Sequence, residues 1–457
     1  MAKNKPTKHG SLIVRSACLI SGLGLCIWAL SDHPSIGGGA GFGLFQSVVL
    51  IAGLITMAAA FLPTRAASTY FSIFVATILS LVAVEILLQV MFRPNYFTNY
   101  QYDDRLLFQL KPGSSGVLTH PQEFGGATVL YQVNTDGFVG PELRDPPAEF
   151  RVLVYGDSFI HANYTPFDER FTSVLQKDLT EKLAVDSEVI NAGISGYGPD
   201  QILRRMQTEL DQYSPDFVVV SIFSGNDFGD LLRNRMYDLD GDGSLVEREF
   251  FLSAEQAREG QLNESELAIV RVLRRTLKAL RNSGTTPEQF DPEAWIDWAM
   301  ARHQEEYQSF VAGEKIVGEF AVDPYSTDIA VSPSSASADL KIRLMDAIIG
   351  EISTVAANAN VPLLFVVIPH PMDLLDGAHS SGQINKEKYP TYNPKNLTNL
   401  LQASVVDHDQ EVLNLYPVLK SGDVNDLFLK GGDDHWNAKG QAKSAEAVAN
   451  EIKRMMN

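Results

Sequence analysis

The chain has 457 residues, 45% of them hydrophobic, and a formal charge of −19, which leaves room for more than one domain. An acidic surplus of this size excludes nucleic acid or a flat anionic lipid surface as the main partner, because either demands a basic face. Both cysteines, Cys18 and Cys26, fall in the first apolar run, so the chain beyond it has no disulfide to rely on and must be held by its core.

Three apolar runs open the chain, Leu12 to Leu30, Gly43 to Leu62 and Tyr70 to Phe92, each close to the roughly 20 residues of a bilayer-spanning helix. They predict three transmembrane helices (12–30, 43–62, 70–92) within a membrane domain of residues 1–92. A cleaved signal peptide is the alternative for the first run, which Lys3, Lys5 and Lys8 precede. No small-residue cleavage site follows it, however, and two further runs do. The basic tail and Arg65 in the second loop, against a first loop without Lys or Arg, place the N-terminus in the cytoplasm. The chain beyond Arg93 is then on the outer side of the membrane, a periplasmic location in a bacterial cell. Glu85, inside the third run, is expected to face a neighbouring helix or to snorkel.

Residues 93–149 read as short strands and turns, "LLFQLKP" and "ATVLYQVNTDGF", then the Pro-rich linker "DPPAEF". From Arg151 strands and helices alternate: "RVLVY", "DERFTSVLQKDLTEKL", "SEVINAG", "PDQILRRMQTELDQY", "DFVVVSIF". An insertion at about 236–339 interrupts the alternation, with helices expected near Ser253 to Arg281 and Pro287 to Phe310. It resumes with "LKIRLMDAIIGEISTVAAN", "VPLLFVVI", "PKNLTNLLQASVVD", "EVLNL" and "AKGQAKSAEAVANEIKRMM". Nearly continuous apolar strands imply a parallel sheet covered on both faces, an α/β chain of flavodoxin-like three-layer α/β/α architecture over 150–457. Sites in such folds lie beyond the carboxyl ends of the strands.

At those ends stand Gly156-Asp157-Ser158, "NAGISGYG", "SGND", "IPHP" and "DDHWN". Ser158 at the first turn of a helix has backbone N–H groups and a positive dipole end beside it. A serine hydroxyl needs a base, and histidine suits that near neutral pH. Of the nine histidines, His435 ranks first, with Asp433 placed to fix its tautomer. His370 reads as a pocket wall and His161 as packing. Candidate oxyanion donors are the backbone N–H groups of Ser158 and Gly196 and the side-chain amide of Asn226; the plainer readings are a turn-forming glycine and a turn-capping asparagine.

"YGDSF", "NAGISG", "SGND" and "DDHWN", in that order, resemble the four sequence blocks of the SGNH/GDSL hydrolase superfamily. The resemblance covers Arg151 to the C-terminus apart from the insertion. It implies Ser158 as nucleophile, Ser158, Gly196 and Asn226 as the oxyanion hole, His435 as base, and an ester hydrolase that needs no cofactor. The superfamily's usual acid stands three residues before the histidine, where this chain has Gly432. Asp433 resembles the D-x-H-W arrangement of members that modify cell-surface polysaccharides, with Asp434 or a backbone carbonyl as alternatives. "YQVNTDGFVGPE" resembles the lead-in of membrane-tethered bacterial members.

"DLDGDGSLVERE" fits an EF-hand calcium loop, with ligands at Asp238, Asp240, Asp242, Ser244 and Glu249. A β-hairpin joining "NRMYDL" to "SLVEREFFL" uses the same residues and is the preferred reading. The expectation is therefore a membrane-anchored extracytoplasmic serine esterase acting on acyl esters, including those of surface carbohydrate, through an acyl-Ser158 intermediate. Its alternatives are an O-acetyltransferase using the same residues and a non-catalytic envelope scaffold.

Overall fold

The computed structural model describes residues 8–31, 43–91, 99–119, 128–248, 291–313, 324–379, 382–431 and 433–457. The helix expected over Ser253 to Arg281, together with Glu249 and Gly432, lies outside the described residues. The chain divides into two compact units.

The first unit holds α1 (Lys8–Leu30), α2 (Leu44–Ala59) and α3 (Thr64–Met91). Over Gly10–Leu30 and Thr64–Leu88, α1 and α3 are long and apolar enough to cross a membrane. The middle run falls short of its expected span. Its helix has 16 residues, about 24 Å at 1.5 Å per residue, against a hydrocarbon core of about 30 Å. The cause is local: the chain turns at Ala60 to Leu62 and Pro63 follows, which cannot continue a helix. Where α1 and α2 meet, Cys18, Ala59 and Ala60 are buried together, and Thr56 on α2 shares a 2.8 Å hydrogen bond with Tyr70 on α3. Glu85 is half-buried on α3.

The second unit begins with two antiparallel hairpins, β1 (Tyr100–Asp103) with β2 (Leu107–Leu110) and β3 (Ser115–Thr119) with β4 (Thr128–Gln132). Chain order continues with β5 (Phe150–Tyr155), α4 (Ser158–His161), α5 (Phe171–Leu183), β6 (Ser187–Asn191), α6 (Pro199–Tyr213), β7 (Phe217–Phe223) and α7 (Asp227–Asn234). The hairpin β8 (Tyr237–Leu239) and β9 (Leu245–Glu247) leads into α8 (Pro292–Val311), α9 (Thr327–Val331) and α10 (Ala336–Asn358). The chain closes through β10 (Leu363–Ile368), α11 (Pro371–Leu374), the short β11 (Ala378–His379) and β12 (Gly382–Gln383), α12 (Asn396–Asp407), β13 (Glu411–Asn414), α13 (Tyr416–Lys420) and α14 (Ala438–Met456).

Five of these strands form one parallel sheet in the order β13-β10-β7-β5-β6. Counted along the chain this is 2-1-3-4-5, the flavodoxin-like order, whose switch point lies between β5 and β7. Successive side chains of a strand point to opposite faces, and both faces are buried. Leu153, Val218, Val220, Phe365 and Val367 pack with residues of α6, α10 and α12 on one side. Val152, Val154, Val219, Leu364 and Val366 pack with residues of α5 and α14 on the other. This is why the strands read as continuous apolar runs rather than as alternating ones.

Two of the helix starts that differ from the periodicity are set by a cap. The helix expected from Pro287 begins at Pro292, where Asp291 Oδ1 accepts the N–H groups of Glu293 and Ala294. The helix expected from Leu340 begins at Ala336, after Ser335 accepts Ala338 N–H. Between β8 and β9 the acidic loop is the turn of a hairpin, and Asp240 Oδ1 accepts the N–H groups of Asp242 and Ser244, each at 2.9 Å.

Candidate active site

Ser158 follows β5 at the switch point and opens α4. Asp157 caps that helix by accepting Phe159 N–H at 2.9 Å. With a single turn, α4 has little of the macrodipole expected beside Ser158; its contribution is to aim the hydroxyl out of the strand end. Asn191, at the end of β6, holds the turn from behind. Its Nδ2 donates to Ile160 O at 2.8 Å while its Oδ1 accepts Gly193 N–H at 3.0 Å. Strand periodicity had offered no role for this side chain.

His435 arrives from the other end of the chain. His435 Nε2 lies 2.6 Å from Ser158 Oγ, and Nδ1 lies 2.7 Å from Asp433 Oδ1, which also accepts His435 N–H at 2.9 Å. In the neutral imidazole Nδ1–H donates to the carboxylate, and Nε2 is left to accept from the serine hydroxyl. Around it the "DDHWN" residues divide the work. Trp436, 1% exposed, packs edge-on against Phe159 and along Phe171, while the His435 ring stacks on Phe159. Leu429 N–H donates to His435 O, and Asn437 caps α14 through Lys439 N–H and Gly440 N–H. Apolar packing on one side and backbone bonds on the other leave the imidazole one orientation.

Asp434 is a second carboxylate on the same ring. Its Oδ1 lies 3.3 Å from His435 Nδ1 and its Oδ2 lies 3.5 Å from His370 Nε2. His370 Nδ1 accepts Met372 N–H at 3.0 Å, so the proton of a neutral His370 is on Nε2, facing Asp434. The sequence reading of His370 as a wall therefore omitted its bond to the acid. Burial alone would lower the His435 pKa. The Asp433 hydrogen bond and the charges of Asp434, Asp433 and Asp157 outweigh burial and raise it to about 9. Burial would likewise raise Asp434, yet its bond to His370 and the charge of His435 hold the carboxyl well below the usual carboxylate range. Asp433, Asp434 and His435 also bring one ligand atom each within 4.8 Å of one another, but Nδ1 is already engaged with Asp433 at a proton-sharing distance.

The remaining candidates sit on two turns. Gly196 has φ +82°, which favours glycine, and the turn is closed by Tyr197 N–H to Ile194 O at 3.1 Å, not through the Gly196 N–H. Asn226 occupies the N-cap position of α7, and its side chain makes no capping hydrogen bond to that helix. Asp227 Oδ2 fixes the turn instead, accepting Phe223 N–H at 2.8 Å. Part of the insertion belongs to this wall: Ser326 N–H donates to Gly225 O at 2.7 Å, and the Tyr325 ring lies 4.7 Å from that of His370.

A cavity of about 210 Å³ opens at Ser158 and His435, walled by Ala162 to Thr165, Ser195, Leu429, Trp436 and Gln441. A larger one, about 550 Å³, shares the Leu429 wall and is lined by His379, Gln383, Asn425 and Lys430 among others. Asp238, Asp240, Asp242 and Ser244 stand apart on the β8–β9 hairpin.

No family model matches the chain, and no curated protein does. Solved structures with some likeness include a psychrotrophic esterase, EstA, from Pseudoalteromonas sp., at 13% identity over 68% of this chain and 100% of that one, with a TM-score of 0.32. An acetyl xylan esterase, AlAXEase, aligns at 12% identity over 66% of this chain and 100% of that one, TM-score 0.33. A two-domain esterase active on acetylated mannans aligns at 10% identity over 67% of this chain and 49% of that one, TM-score 0.32. Similarity this low leaves the activity to be read from the chain's own site.

Proposed function

We propose that the protein is a serine esterase of the SGNH/GDSL type that cleaves acyl esters through an acyl-Ser158 intermediate. The observation that carries this reading is the continuous chain from Ser158 Oγ through the His435 imidazole to Asp433, at 2.6 and 2.7 Å. His435 takes the hydroxyl proton as Oγ attacks the ester carbonyl. The Ser158 and Gly196 N–H groups and the Asn226 amide receive the oxyanion, and the imidazolium returns the proton to the leaving alcohol. Water, deprotonated by His435, then releases the acid.

The cavity at Ser158 supports a short acyl group. Its roughly 210 Å³ is of the order of an engineered 150 Å³ cavity that holds benzene, room for a short acyl group beside Ser158. The D-x-H-W arrangement supports an acyl group carried on a surface glycan, and the two apolar helices of spanning length support a membrane anchor. Neither the calcium reading of the β8–β9 loop nor any other cofactor is required by this chemistry.

The test is hydrolysis of p-nitrophenyl esters of graded acyl length by the full chain and by Ser158→Ala. Turnover that is highest with the shortest acyl groups and vanishes in the variant, with Tm unchanged, is the expected result. A variant as active as the parent overturns the reading. Adding sugar acceptors distinguishes the transferase alternative, because an acylated sugar in place of free acid decides for it.

A further inference from the structure

His161, one turn beyond Ser158, is completely buried, and the reaction outlined above gives it nothing to do. Its hydrogen bonds are nevertheless specific. Ser195 N–H donates to His161 Nδ1 at 2.9 Å, and a backbone N–H can only donate, so Nδ1 carries no proton. The ring proton is then on Nε2, 2.6 Å from the Tyr131 hydroxyl on β4. Ser195 Oγ also approaches Nδ1 at 2.9 Å and accepts from Asn163 Nδ2 at 3.2 Å, while the Tyr100 hydroxyl from β1 stands 3.4 Å from Nδ1. Burial, followed by the charge of Arg170, pushes His161 well below the usual histidine range, so it stays neutral and the tautomer is constant.

The residue held by Nδ1 is the immediate neighbour of Gly196. A Cβ on Gly193 would come within 2.5 Å of His161 N, so the absence of a side chain there lets the "NAGISG" turn pack directly on α4. We propose that His161 is a positioning residue: by gripping Ser195 N–H it sets the direction of the next N–H, that of Gly196, and Tyr131 of the second hairpin fixes the tautomer that makes the grip work. The hairpin layer that opens the second unit thereby becomes part of the active-site support. This rests on the reading of Gly196 as an oxyanion donor.

The experiment uses the full chain with p-nitrophenyl acetate and a fluorophosphonate that labels Ser158. Since losing one oxyanion donor costs about 100- to 1,000-fold in kcat, displacing one through His161→Ala should lower kcat by roughly 10- to 100-fold with KM within about threefold. The pH dependence of the residual activity should keep the parent's limb, because His435 is untouched. His161→Asn places an acceptor where Nδ1 stood and should recover most of the loss; His161→Gln reaches the Nε2 position instead and should not. Tyr131→Phe removes one hydroxyl only and keeps the question answerable where His161→Ala fails to fold; the buried His161 Nε2–H loses its partner, so Tm should drop while the variant stays folded, and its kcat should fall. Parent-level kcat in folded His161→Ala or Tyr131→Phe overturns the inference, and so does a His161→Asn variant no better than His161→Gln. If the parent chain itself is not labelled at Ser158, the esterase reading falls and this inference with it; labelling of the parent combined with unaffected variants overturns this inference alone.

Discussion

Asp434→Asn separates the two carboxylates on His435. The substitution keeps the size of the side chain and an oxygen to accept from His370 Nε2, and removes one negative charge 3.3 Å from His435 Nδ1. At that distance two unit charges interact by about 1.3 kcal/mol at the dielectric constant of water and by about 5 kcal/mol at an effective value of 20. His435 and Asp434 are 32% and 35% exposed, so screening places the effect near the lower figure, about one pH unit. The sign follows from the balance at the ring. Burial lowers the His435 pKa and the carboxylates raise it to about 9; with Asp434 neutralised, burial gains and the value falls. Catalysis needs the bare Nε2, so kcat/KM for ester hydrolysis rises with pH to a plateau. The midpoint is expected near 9 in the parent and about one unit lower in the variant. At pH 7 the neutral fraction grows from about 1% to about 9%, and turnover there should increase several-fold, tempered by the weaker base. The assay is kcat/KM against pH from 5 to 10 with a non-ionising ester. Superimposable profiles, or a shift to higher pH, would refute the electrostatic account of Asp434.

Two further expectations concern the framework. Trp436→Ala empties the space between Phe159 and Phe171 and should destabilise the second unit by about 3–5 kcal/mol in urea; a loss under 1 kcal/mol would mean that this ring does not anchor the histidine loop. Lys341, completely buried on α10, donates to Asp328 Oδ2 at 2.9 Å beside His303. Lys341→Met strands the Asp328 charge in the interior, at a cost of about 3–5 kcal/mol. Lys341→Met with Asp328→Asn should regain part of that loss, and a double variant weaker than the single one in the same urea titration would contradict the pairing.

Much of the site was legible because each residue has a local signature. Ser158, Gly196, Asn226 and His435 stand beside strand or helix termini that apolar runs and caps mark in the sequence. The order of their blocks is linear information. Asp433 could be named because its partner is two residues away. What the linear pattern lacked was every contact made across the sheet ends: Asn191 holding Ile160, His370 bound to Asp434, Ser195 gripped by His161, and Tyr325 of the insertion against His370. Each joins residues tens of positions apart, and no periodicity encodes such a pair.

Composition and periodicity alone determined the broad division of this protein: apolar helices first, then a strand-and-helix alternation whose doubly buried strands could form only a covered parallel sheet. They overestimated the middle apolar run, because hydropathy averages over residues while a helix ends where a turn and a proline make it end. The tertiary structure decided that both Asp433 and Asp434 bear on the His435 ring and raise its pKa. It also decided that the hairpin layer reaches the helix that Ser158 opens. Those outcomes depend on the order in which the strands assemble, since the 2-1-3-4-5 arrangement is what brings the ends of β5, β6, β7 and β10 to one edge, where the loop before α14 can close over them.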